Sequence, residues 1–320
     1  MKILTTTLIA ATVCTFAFAQ KADKALARVR YTFSHMRDTT QRDNFYTENM
    51  LLVTGNNASV YTSYDKINRD LEIKKSIEDQ IKSQGGTLTS LNINRTSTKS
   101  VTAIDYFYFA NENKFYTKER VISNYLVEET APKINWKINK DTASFSGVKC
   151  QKAIANFKGR TWTAWFAPEL PFQSGPWKLN GLPGLIIEAI DETKTVHFQF
   201  AGIENVIPEE TIAPEKDGPK IITPGGGTLP MASIMGMDGN SYLASEIKLP
   251  ADAIKTSRKE LDKLKAARDK DPQGFMNAQM AAQGVSLGSG NTTVRRSSSF
   301  TPSTAPKNVT NNPIELPETK

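Results

Sequence analysis

The chain has 320 residues, 39% of them hydrophobic, which is enough for one domain of about 200 residues with appendages. Its formal net charge is +7, but acidic residues lie between the basic ones along the whole length. Because there is no basic stripe and no recognised nucleic-acid motif, we exclude a nucleic-acid-binding protein and expect a globular core.

The N-terminal residues have the pattern of a secretory signal peptide. Lys2 precedes an apolar run over residues 3–18, and the small residues Ala17 and Ala19 flank Phe18 before Gln20. Threonines make the run too short and too polar for a membrane anchor, and Cys14 lies inside it, unlike a lipidated cysteine. We predict a signal peptide over residues 1–19 that is cleaved after Ala19. The mature chain is then periplasmic or associated with the outer membrane, without a transmembrane segment.

Residues 27–64 have strand character. Val29, Tyr31 and Phe33 alternate with polar residues, and two further apolar runs, residues 46–53 and 58–64, are separated by a Gly/Asn turn. Residues 65–84 then change period and predict an amphipathic helix or a long polar excursion between strands.

The following segment returns to strands. Residues 103–122 predict an aromatic hairpin, and residues 144–166 a second hairpin with its turn at Lys158-Gly159. Two more strands are predicted over residues 185–190 and 195–200. The fold class is therefore mainly β (α+β). We expect a curved antiparallel meander sheet over residues 20–207, which could wrap partly into a barrel, with one or two packed helices.

The C-terminal third changes composition. Residues 208–250 are rich in Pro and Gly and predict an insertion or linker that forms neither sheet nor helix between residues 208 and 230. Residues 251–283 predict an amphipathic helical segment, helical from residue 251 to 267 and again after a break at Asp271-Pro272. Residues 284–320 are rich in Ser, Thr, Gly, Asn and Pro and predict a disordered tail.

The most distinctive stretch is residues 150–186, which end in the hexapeptide Gly-Leu-Pro-Gly-Leu-Ile at positions 181–186. A cysteine followed by Lys-Ala, a Gly-Arg turn, an Ala-Trp-Phe strand, Glu-Leu-Pro and Gly-Pro-Trp-Lys precede the hexapeptide in that order. The stretch resembles the GLPGLI family of exported Bacteroidetes proteins. Residues 312–316 also look like that family's usual ending. The resemblance implies export and a β fold, and it implies no chemistry.

Two interpretations of this stretch remain open. In the structural one, turns at Gly175-Pro176 and Pro183-Gly184 fix Trp177 and Leu182 against the sheet. In the functional one, residues 168–184 form one wall of a pocket with charged residues at its mouth. The candidate ligand or partner residues are Arg160, Trp165, Glu169, Trp177, Lys178, Leu182 and Pro183.

Enzyme chemistry has few candidates in this sequence. Cys150 is the one cysteine left after cleavage of the signal peptide, and it is either a small buried residue or a reactive thiol. No histidine, cysteine or acidic cluster has metal-ligand spacing, and no phosphate or dinucleotide motif is present, so we expect neither metal nor cofactor.

We predict a non-enzymatic binding or interaction protein of the cell envelope, whose partner is an apolar ligand or an outer-membrane protein. One alternative is a thiol-dependent hydrolase that uses Cys150 and His197. The other is an assembly factor for an outer-membrane complex. A carrier should have a concave apolar cavity, whereas an assembly factor should have an exposed apolar patch.

Overall fold

The computed structural model describes residues 22–84, 100–121, 123–207, 220–222, 228–230, 242–282 and 310–318. In this part of the chain the helices are α1 (Tyr64–Ser83), α2 (Arg258–Lys270) and α3 (Pro272–Ala282). The strands are β1 (Asp23–Lys24), β2 (Ala27–His35), β3 (Tyr46–Thr54), β4 (Ala58–Ser63), β5 (Ile104–Phe109), β6 (Lys114–Arg120), β7 (Asn124–Thr130), β8 (Lys137–Phe145), β9 (Val148–Phe157), β10 (Arg160–Ala167), β11 (Leu185–Asp191), β12 (Val196–Asn205), β13 (Lys220–Ile222), β14 (Thr228–Pro230), β15 (Glu246–Ile247) and β16 (Ile254–Thr256).

Twelve strands form one open sheet in the order β16-β7-β6-β5-β4-β3-β2-β12-β11-β10-β9-β8. Two antiparallel meanders, β2 to β7 and β8 to β12, join where β12 pairs with β2. The predicted mainly-β meander with packed helices is confirmed. One detail differs: β16 pairs parallel with β7, so the sheet is mixed.

The two faces of the sheet carry different cores because successive side chains in a strand point to opposite sides. In β3, Leu52 belongs to a cluster with Trp162 and Phe198, which we call the inner core. Its neighbour Leu51 belongs to a second cluster, the outer core, which α1 covers through Ile67.

The sheet curls around residues 168–184, which we call the plug loop. The indole of Trp177 in this loop lies 5.7 Å from that of Trp162 in β10, between ring centroids, and it shares a small cavity with Phe115 in β6. Strands β6 and β10 are seven positions apart, which on a flat sheet would separate them by about 34 Å. The inner face is therefore concave, and the plug loop lies inside it.

Local sequence signals account for the ends of these elements. The Ser63 hydroxyl accepts a hydrogen bond from the Lys66 backbone amide and caps α1. The Ser257 hydroxyl accepts one from the Glu260 backbone amide and caps α2. Lys158 and Gly159 both have positive φ, as a two-residue turn of type I′ requires between β9 and β10. The predicted turn at these two residues is confirmed.

Five expectations need correction. Strands β7 and β8 were not predicted. Strand β8 is largely polar and exposed and lacks an apolar alternation. Residues 254–256 were predicted to be helical, but they form β16, since Ser257 starts α2 only afterwards. Between residues 208 and 230, where no sheet was expected, β13 and β14 pair antiparallel.

The last two corrections concern the C-terminal third. Tyr242 and Ile247, in the predicted linker, are buried in the outer core. Residues 310–318, in the predicted disordered tail, lie against the sheet, as described below. The predicted signal peptide and residues 283–309 lie outside the described residues.

Candidate functional site

Arg160, at the start of β10, is buried, and every N–H group of its guanidinium donates a hydrogen bond. Nε donates to the Ile314 carbonyl at 2.8 Å, and Nη2 donates to the Pro313 carbonyl at 2.7 Å and to Asn312 Oδ1 at 2.6 Å. Nη1 donates to Asp191 and Thr195. Arginine has five N–H donors, and all five have acceptors here. Three of the acceptors belong to residues 310–318, which we call the C-terminal segment.

Asn312 is the buried residue of the C-terminal segment. Its Nδ2 donates to the Met36 carbonyl at 2.8 Å, and its backbone amide donates to the Arg37 carbonyl at 3.1 Å. The His35 Nε2 atom lies 2.7 Å from the Asn312 carbonyl and donates to it. Burial lowers the pKa of His35 below its ordinary value, so the imidazole is neutral at pH 7.

Glu315 connects the C-terminal segment to the plug loop. One carboxylate oxygen lies 2.7 Å from Lys178 Nζ, and the other lies 3.5 Å from Lys158 Nζ. Burial alone would raise the pKa of Glu315, but the two lysines outweigh this effect and lower it. Arg160 and Lys178, expected together at the mouth of a pocket, are thus brought together by residues 312–315.

Trp177 and Leu182 are both buried under the sheet, which agrees with the structural interpretation of the plug loop. Trp177 stacks on Phe198, with ring centroids 6.5 Å apart, and packs against Phe157 and Trp162. Its φ is +55°, a left-handed conformation that costs about 1–3 kcal/mol in a bulky residue and that clusters at functional sites.

A small cavity separates Trp177 from strands β4 and β5. It has a volume of about 10 Å³, the space of a single water molecule, and its wall includes Tyr61, Tyr106 and Ser174. The Tyr61 hydroxyl is buried and has no hydrogen-bond partner among the described residues. Trp177 Nε1 is also buried and makes no hydrogen bond of normal geometry there. It does interact with the Tyr106 hydroxyl, which opposes the rise that burial causes in the pKa of Tyr106. In this conformation the plug loop leaves no room for an organic ligand.

The other candidate residues lie apart from this cavity. Trp165 packs on Phe145, with ring centroids 5.8 Å apart, and Lys152 Nζ lies 5.9 Å above its indole. Glu169 and Pro183 are exposed on the plug loop. Of the seven candidates, four are therefore buried or paired with the C-terminal segment, namely Arg160, Trp177, Lys178 and Leu182.

Cys150 and His197 have different neighbours. Cys150 is buried, and burial raises the pKa of its thiol to about 11, with the nearby Glu188 adding to the effect. The thiol is therefore protonated at neutral pH, unlike an activated nucleophile. His197 Nε2 lies 3.1 Å from Glu188 Oε1. No hydrogen bond joins Cys150 to His197 among the described residues.

Sequence reasoning missed the residues that surround Arg160 and the residue Tyr61, which lines the cavity with Trp177. His35 and Asp191 stand in strands with no motif around them, and Tyr61 looks like any aromatic core residue. Asn312 was noticed as part of a family-like ending but was assigned to a disordered tail. That ending, together with the Gly-Arg turn, was the available signal for their contact.

Neither a metal site nor a membrane-crossing helix is found in the part of the chain that the structure describes. No group of three or more His, Cys, Asp or Glu residues there could hold a metal ion. None of the helices described is long and apolar enough to cross a membrane.

Residues 9–188 match a family described as "Protein of unknown function (Porph_ging)", and the chain belongs to this family. The match is consistent with a GLPGLI-type protein, although that finer name stays a prediction. No curated protein matches.

Solved structures of PNGF-II in two space groups are similar to this chain at 10% identity. The P21 structure has a TM-score of 0.39 and covers 57% of this chain and 29% of its own. The C2 structure has a TM-score of 0.42 and covers 75% of this chain and 32% of its own. This chain thus spans about a third of the length of these structures.

Proposed function

We propose that this protein is a non-catalytic binding protein of the cell envelope whose ligand occupies the concave face beneath the plug loop. The ligand has an apolar body and a hydrogen-bond-accepting head group. The observation that carries the proposal is the Tyr61 hydroxyl, which is buried without a partner among the described residues and lines one cavity with Trp177 on an aromatic face.

Two local costs would be relieved if a ligand displaced the plug loop. A buried donor without an acceptor costs about 1–3 kcal/mol, and the left-handed Trp177 adds a cost of similar size. An acceptor oxygen from a ligand would satisfy the indole N–H, while its apolar body replaces loop side chains against the aromatic face. Ligand pockets typically combine such an apolar lining with a few oriented polar groups.

Native mass spectrometry of protein purified from its own envelope tests this function. We expect a bound amphiphile of discrete mass. The double variant Trp177→Phe with Tyr61→Phe keeps the aromatic surface but removes both polar groups, so it should retain about tenfold less ligand. Trp165→Phe is the matched control, because Trp165 packs on Phe145 away from the cavity. Wild-type protein without bound ligand, or equal retention in the double variant, would contradict the proposal.

We also propose that the chain is exported and cleaved after Ala19, on the pattern of residues 1–19. N-terminal sequencing of protein from the periplasmic and outer-membrane fractions should begin at Gln20. A cytoplasmic protein that retains Met1 would refute this localisation.

A further inference from the structure

The C-terminal segment lies on the protein as a bound peptide does. Of residues 310–318, Asn312 is buried and residues 314–316 are half-buried, whereas the other five are exposed. The segment belongs to no strand and is held at its centre by side chains and carbonyls that lie far away in sequence. It therefore lies on the sheet without forming part of it.

The contacts depend on specific chemistry at Asn312. All of its polar groups have partners: the side-chain oxygen accepts from Arg160, the side-chain amide donates to Met36, and the backbone groups bond to Arg37 and His35. An aspartate could not donate to the Met36 carbonyl, and an alanine would leave one Nη2 proton of Arg160 without its acceptor.

The residues after Asn312 extend the recognition. Pro313 has no N–H to satisfy, and its carbonyl accepts from Arg160, while Ile314 packs against the inner core. Glu315 lies between Lys158 and Lys178, which supply two positive charges for one carboxylate. The Leu316 amide donates to the Lys158 carbonyl at 3.0 Å.

At Gly159, the surface under the C-terminal segment has room for the backbone of the segment because no side chain is present. A β-carbon added at Gly159 would lie 2.7 Å from the Leu316 and Pro317 carbonyl oxygens, so a side chain there would push the segment away. Gly159 thus serves two purposes, the turn between β9 and β10 and the close approach of the segment.

We infer that residues 35–37, 158–160 and Lys178 form a recognition groove for an extended peptide with an Asn-Pro pair followed by a hydrophobic and an acidic residue. Residues 310–318 of the chain itself are its exchangeable occupant. The groove shares no lining residue with the cavity beside Trp177, so peptide binding is measured separately from amphiphile binding.

Fluorescence polarisation with a labelled peptide of residues 310–318 tests the groove on the full-length chain. In the double variant Asn312→Ala with Glu315→Ala, the chain's own segment is weakened, so the peptide should bind. In the wild type the tethered segment competes at high effective concentration, so binding should be at least about tenfold weaker. A peptide carrying the same two alanines should not bind. Adding Lys178→Ala to the double variant should weaken binding about tenfold.

Circular dichroism establishes that each variant is folded. Should the double variant fail to fold, Glu315→Ala alone takes its place with the same criteria, since Glu315 is only half-buried. Equal binding of the peptide to wild type and folded variant, or no binding to the folded variant, would overturn the inference.

Discussion

Tyr61 and Thr62 are neighbours in β4, yet their hydroxyl groups lie in opposite situations. The Thr62 hydroxyl faces the outer core and donates to Asp105 Oδ1 at 2.6 Å. The Tyr61 hydroxyl faces the inner core and has no partner in the part of the chain that the structure describes. One step along the strand thus separates a buried polar group that is bonded from one that is not.

The wider surroundings extend this contrast. Asp105 is buried with Lys118 Nζ at 2.9 Å, Lys66 Nζ at 3.8 Å and the Tyr242 hydroxyl at 2.7 Å. Burial alone would raise the pKa of Asp105, but the two lysines outweigh it and hold the pKa well below its usual range. The outer cluster is complete without a ligand, and so we assign it to stability. In the inner cavity the Tyr61 hydroxyl has no partner among the described residues, and so we assign the cavity to binding.

The largest expected effect comes from breaking the outer cluster. Lys118→Met leaves Asp105 buried without its closest cation and should lower the free energy of unfolding by about 3–5 kcal/mol in urea titrations. Lys114→Met, on the same strand, removes an exposed pair with Glu128 and should have little effect. Similar losses in the two variants would refute a special role of the outer cluster.

A smaller loss is expected at Thr62. Thr62→Val keeps the shape of the side chain but removes the hydrogen bond to a charged Asp105, which should cost about 1.5–3 kcal/mol of unfolding free energy. The same urea titration measures this cost, and a neutral result would mean that the bond contributes nothing to stability.

Tyr61→Phe tests the neighbouring hydroxyl group, which faces the inner core. Because the hydroxyl has no partner, its removal should leave the free energy of unfolding unchanged or raise it by up to about 1 kcal/mol. If the free energy of unfolding fell by more than about 1 kcal/mol, the Tyr61 hydroxyl would make a hydrogen bond, and the contrast with Thr62 would be wrong.

The remaining prediction concerns pH and the C-terminal segment. Burial lowers the pKa of His35 from 6.5, and Arg37 and Arg160 act in the same direction, opposed by Asn312 and Asp191. The unfolded chain therefore binds the proton at higher pH, and stability is lost as pH falls below 6.5. Between pH 7.5 and 5.5 the wild type should lose up to about 1.4 kcal/mol more than His35→Gln. Equal losses would show that His35 contributes no pH dependence.

The sequence allowed much of the sheet to be predicted, because strands such as β2 and β5 have clear apolar alternation and turns such as Lys158-Gly159 have the required residue types. It did not allow β8 or β16 to be predicted, since both are short of buried residues and depend on pairing with a neighbour. The site was found in part: Trp177 and Arg160 stand in the family-like stretch, but their partners Tyr61 and Asn312 are more than a hundred residues away.

The indole ¹⁵N–¹H resonance of Trp177, assigned by comparison with Trp177→Phe, tests the binding claim most directly during titration with dodecanoate. We expect a downfield shift of this resonance as its N–H finds an acceptor. The indole of Trp165, which packs on Phe145 away from the cavity, is the internal reference. A Trp177 resonance that does not move up to millimolar dodecanoate would contradict a binding site beneath the plug loop.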